Sequence, residues 1–81
     1  MIITNKAEKA QIYKAFRAFL IQNGYSLRKF EEKIKLKERY ISQMFNYYKY
    51  LDIEKINEWI KIVDSKQELT KFNTTWVIGK K

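Results

Sequence analysis

The sequence predicts a mainly α fold: a compact bundle of four to five helices with a short C-terminal β-strand or hairpin. Three observations predict it. Apolar residues recur at helical spacing, as in Ile12, Phe16, Phe19 and Leu20. An apolar pair with the spacing of a hydrophobic staple stands at three successive helix starts: Tyr25 with Phe30, Leu36 with Ile41, Leu51 with Ile56. The tail KFNTTWVIGKK is instead β-branched and aromatic, with Phe72, Trp76 and Ile78 at even positions, which is a strand pattern. A length of 81 residues predicts one domain, with a helical core over 5–64 and a β element over 67–79.

Each element has its own local cause. Asn5 followed by Glu8 has capping-box spacing and starts the first helix, whose Lys9, Lys14 and Arg17 fall off the apolar stripe. Asn23-Gly24 stops it, because Gly takes the left-handed conformation at little cost. Ser26 caps a second helix that carries Phe30, Ile34 and Leu36 and ends near 33–35. A third helix is expected from about Glu38 to Asn46, with Ile41, Met44 and Phe45 turned inward. Asp52 caps a fourth, striped by Ile53, Ile56, Trp59, Ile60 and Val63. ELTKF and TWVIG can pair as a hairpin about Asn73-Thr74, a weak turn pair, and such a hairpin needs the helices, the N-terminal MIIT or a second copy to support it.

Composition narrows the function. There is no Cys and no His, so zinc sites of the usual kind, thiol chemistry and the commonest general base are all missing. The only glycines are Gly24 and Gly79, so no Gly-rich phosphate loop exists. An enzyme, a metal, a cofactor and a small-molecule ligand are therefore not expected. No apolar run approaches a membrane span, and no signal peptide is recognisable, so a cytoplasmic protein is expected. The net charge of +8 and pI near 9.7 point to an anionic partner, nucleic acid first.

The second and third helices, joined by a short turn, have the apolar pattern of a helix-turn-helix: Phe30, Ile34, Leu36, Ile41 and Met44. On NGYSLRKFEEKI, KLKERYISQMFN and LDIEKINEWIKIV, the chain resembles the Cro/CI-type (XRE-like) helix-turn-helix family of phage and bacterial repressors over roughly 12–63. Ser26 to Asn46 aligns with that motif without a gap. The resemblance implies that Lys37, Glu38 and Arg39 open the recognition helix, that Ser42 and Gln43 face the groove one turn on, and that Asn46 holds phosphate. It places Leu27 and Arg28 near the DNA backbone. Two positions depart from the family. Glu31 stands where a small residue is usual, a misfit at a close helix contact unless its stem bends out to water. Lys35 stands where Gly is usual, at a cost of about 1 kcal/mol if its φ is positive. Lys37 is also a poor helix cap, a misfit that a neighbouring phosphate would relieve.

Base chemistry fits these roles. Arg39 can pair with guanine, Gln43 with adenine, and Glu38 can accept from cytosine. Lys29, Lys33, Lys35, Lys37 and Lys49 can neutralise phosphates, and Tyr47 can donate its hydroxyl to one. Residues 26 to 50 hold seven basic groups (Arg28, Lys29, Lys33, Lys35, Lys37, Arg39, Lys49) against Glu31, Glu32 and Glu38. The expected function is sequence-specific binding of double-stranded DNA by a small transcriptional regulator of phage or mobile-element type. The resemblance implies a homodimer, and Phe72, Trp76 and Ile78 of the C-terminal strand are the candidate contact. The alternative is a protein-interaction module that keeps the same frame and docks on an acidic host or regulatory protein.

Overall fold

The computed structural model describes residues 1–80. In chain order the elements are β1 (Ile2–Ile3), α1 (Lys6–Gln22), α2 (Leu27–Lys33), α3 (Tyr40–Tyr47), β2 (Leu51–Asp52), α4 (Ile53–Val63), β3 (Gln67–Phe72) and β4 (Thr75–Lys80). Four helices thus carry most of the described chain, and two antiparallel strand pairs complete it.

α1 starts where expected, with the Asn5 side chain accepting the N–H of Glu8 at 3.0 Å. Only half of the predicted capping box forms. The Glu8 carboxylate turns outward instead and accepts the indole N–H of Trp76 at 3.0 Å and the Lys71 ammonium at 3.4 Å. These partners, the indole first, hold its pKa below the ordinary carboxylate value. The far end of α1 closes as a Schellman motif: Tyr25 N–H donates to Leu20 and Gly24 N–H to Ile21, with Gly24 at φ +83°.

α2 repeats both devices. Ser26 accepts the Lys29 N–H at 3.1 Å, and the Tyr25 and Phe30 rings meet edge to face 6.2 Å apart. Its end is a second Schellman motif, with Leu36 N–H on Glu31 and Lys35 N–H on Glu32. Lys35 occupies the left-handed position at φ +61°, the conformation that its place in the turn demands.

α3 begins two residues later than the sequence suggested, at Tyr40 rather than Glu38, and runs one residue further, to Tyr47. Arg39 is its N-cap, left-handed at φ +66°, and provides no side-chain cap. The cap comes from α2. Glu31 is 4% exposed, and its two carboxylate oxygens accept the N–H groups of Arg39 (3.2 Å) and Ile41 (2.8 Å). The Glu31 stem does not bend out to water: its carboxylate relieves the misfit by filling the vacancy left by a helix with no cap of its own.

Asp52 caps α4 through the Glu54 N–H at 3.0 Å. The N-terminal strand pairs here, Ile2 opposite Asp52 and Ile3 opposite Leu51, and not with the C-terminal hairpin. Asp64 ends α4 and turns the chain, accepting the Gln67 amide at 2.8 Å and the Lys66 N–H at 3.0 Å; these bonds lower its pKa.

β3 and β4 form the predicted hairpin, Phe72 opposite Thr75, around Asn73 at φ +57°. The helices support it. Asn57 of α4 accepts the Leu69 N–H at 2.7 Å, and Gln11 of α1 accepts the Trp76 N–H at 2.9 Å. Leu69 and Trp76 enter one continuous core around Phe16, Phe30, Ile56 and Trp59. No helix among the described residues is long and apolar enough to cross a membrane.

Candidate nucleic-acid interface

The α2–turn–α3 unit presents one side to the core and the other to solvent. Ile41, Met44 and Phe45 are buried, while Gln43 and Asn46 are exposed and Ser42 is half-buried. The Ser42 hydroxyl donates to the Arg39 carbonyl at 3.1 Å, which supports the first turn. Lys37, Glu38 and Arg39 are exposed, but they stand in the turn before α3 and not on the helix itself. The side chains nominated for base contact therefore occupy a short helix face and the loop that leads into it.

The nominated phosphate ligands surround this face. Arg28, Lys29, Lys33, Lys35 and Lys49 are exposed, Tyr47 strongly so, and Leu27 is half-buried. Arg28 pairs with Glu32 at 3.5 Å in the open, and Lys33 lies over the Tyr25 ring. An exposed ion pair of that kind opens at little cost. Glu31 is already bonded to backbone, so Glu38 is the exposed acid next to Arg39.

Two lysines, Lys9 and Lys55, hold this region in place. Lys9 is buried and donates to the Tyr48 carbonyl at 2.7 Å, tying the loop after α3 to α1. Lys55 donates to the Tyr40 hydroxyl at 3.2 Å and lies over the Tyr40 and Trp59 rings, tying the start of α3 to α4.

The structure also brings in residues of α1 that sequence reasoning missed. Tyr13 and Arg17 line a concavity of about 300 Å³ together with Leu27, Arg28, Arg39 and Ser42 and the acidic Glu31 and Glu38. Tyr13 packs on Phe45 at 4.8 Å, and the Arg17 guanidinium lies over the Tyr13 ring at 5.6 Å. The available signal was the spacing of four between Tyr13 and Arg17, which sets both on one edge of the buried stripe.

Of the three residues nominated for contact between copies, Phe72 is exposed, Ile78 is half-buried and Trp76 is 4% exposed within this chain. Trp76 is an internal anchor of the hairpin, with its indole N–H already held by Glu8. Comparison with protein-family models, with curated proteins and with solved structures returned no match for this chain.

Proposed function

We propose that this chain binds double-stranded DNA in a sequence-specific manner, as a Cro/CI-type helix-turn-helix regulator of phage or mobile-element origin acting in the cytoplasm. The observation that carries the reading is the solvent-facing side of α3. Gln43 and Asn46 point away from a helix whose other side is closed by Ile41, Met44 and Phe45. With eight residues, α3 is about 12 Å long, a piece that the major groove accepts. Exposed cations on α2, on the turn between α2 and α3 and on the loop after α3 surround it.

In this reading Gln43 and Arg39 read base edges, with Lys37, Glu38 and Ser42 beside them. Lys29, Lys33, Lys35, Lys49, Arg28, Asn46 and Tyr47 hold the backbone, and Leu27 sets the start of α2 against it. The left-handed Arg39 presents its side chain from a turn that Glu31 fixes from behind. Two copies would place their α3 helices about 34 Å apart on a two-fold site. Because Trp76 is enclosed, the outer face of the hairpin with Phe72 is the surface for that pairing.

A salt titration on a random duplex of about 20 base pairs tests the reading. Five or more phosphate contacts predict a log–log slope of about −4 or steeper. Absence of binding at about 50 mM salt overturns it.

A further inference from the structure

Four adjoining concavities, each of roughly 120 to 330 Å³, form a trench along one side of α1. Two ridges of α1 shape it: Ala10, Lys14 and Ala18, and Tyr13, Arg17 and Ile21, each with a spacing of four. The opposite wall comes from Phe45, Asn46 and Ser42 of α3 and Leu27 of α2.

The charge of the trench is one-sided. Lys6, Lys14 and Arg17 are exposed along it, and no carboxylate lines three of its four concavities. Glu31 and Glu38 appear only at the Arg39 end. Between these cations the α1 ridges are apolar. Ile21 at one end is 65% exposed, and Ala10 and Ala18 along the same side of α1 are small and exposed. Small residues on a helix ridge let a second helix approach closely.

A phosphate backbone would use the cations and find nothing to bond at Ala10, Ala18 or Ile21. A peptide with acidic flanks and an apolar stripe would use both. We propose that this trench docks an acidic amphipathic helix of a partner protein, aligned with α1. Arg39 and Ser42, assigned to base edges, and Asn46, assigned to phosphate, all line the trench, so the docked helix excludes a duplex. This second step rests on the DNA-binding reading; the docking itself does not.

The experiment uses the full chain and a fluorescein-labelled synthetic helix of about 16 residues, long enough to follow α1. The peptide carries Leu on one stripe and Glu on its flanks. Anisotropy should report binding on the order of 10 μM. Amide shifts should centre on Ala10, Tyr13, Arg17 and Ala18. Ile21→Glu, at an exposed position that leaves the fold intact by circular dichroism, should weaken binding by about tenfold or more. Excess peptide should release a bound duplex. Equal binding by a peptide with every Leu changed to Ser overturns the proposal, as does an Ile21→Glu variant that binds unchanged. Shifts at Lys14 and Arg17 produced by duplex, with no peptide binding, also overturn it and assign the trench to phosphates. Peptide binding by a chain that ignores duplex supports the docking and overturns the DNA reading alone. Simultaneous binding of both overturns the exclusion.

Discussion

The carboxylate of Glu31 accepts the backbone N–H of Ile41 at 2.8 Å, across the turn between α2 and α3. Ile41 is the second residue of α3, and its N–H is one that a capping side chain ordinarily takes. Arg39 at the cap position cannot supply that oxygen, so α3 is held at its start by its neighbour. Glu31→Ala should therefore lower stability by about 2 kcal/mol, since it leaves the buried Ile41 N–H without a partner and removes the cap. Glu31→Gln should retain part of this through its amide oxygen. Urea denaturation followed by circular dichroism measures both, and a loss well under about 0.5 kcal/mol for Ala would refute the cap.

Glu8 links α1 to the hairpin through the Trp76 indole. Its folded pKa lies below the unfolded one, because the indole N–H and the Lys71 ammonium favour the charged form. The stabilisation is complete above the ordinary carboxylate range near about pH 4.3 and fades as pH falls through the lower folded value. Asp64 contributes with the same sign through Gln67 and Lys66. Acid should loosen the hairpin, seen as a Trp76 fluorescence change in a Trp59→Phe background. Glu8→Gln should flatten the dependence of stability on pH below about pH 5; an unchanged acid profile would sever the link.

The two Schellman ends make opposite predictions. Gly24 sits at φ +83° with open space where a Cβ would stand, so Gly24→Ala should cost about 1 kcal/mol of backbone strain alone. Lys35 already bears that strain at φ +61°, so Lys35→Gly should raise stability by about 0.5–1 kcal/mol. Thermal melts compare them directly.

Within the DNA reading, side chains should separate by role. Arg39→Ala and Gln43→Ala should each relax preference at one base, by about 1–3 kcal/mol of discrimination. Lys33→Ala should weaken all sequences alike and reduce the salt slope by about 1. Selection from random oligonucleotides, followed by titration at two salt concentrations, reads both effects. Identical behaviour of all three variants would remove α3 from the groove.

The hairpin has an inner and an outer apolar residue with different expected effects. Trp76→Ala should destabilise the chain by about 3–5 kcal/mol, because it empties the core and frees Glu8. Phe72, 71% exposed, should change to Ser with little effect on the urea midpoint. If the outer face joins two copies, Phe72→Ser should convert a dimer to a monomer in sedimentation at constant fold. A dimer that survives this change excludes the face.

Local rules act within a few residues, and those parts of the molecule were legible. Asn5, Ser26 and Asp52 each cap the helix that follows, Gly24 closes α1, and the hairpin turns at Asn73. All depend on partners two to five positions away, which pattern and backbone sterics specify. The solvent-facing side of α3 was legible for the same reason, since its opposite face is written in Ile41, Met44 and Phe45.

Tertiary structure decided the rest. Glu8 left its capping box for an indole 68 positions away, and Lys9 left the surface for the Tyr48 carbonyl. Glu31 became the cap of another helix, Trp76 turned inward, and Tyr13 and Arg17 came to stand beside α3. A polar side chain bonds to whatever donor or acceptor the packed backbone leaves unsatisfied nearby, and that vacancy exists only once distant segments have met.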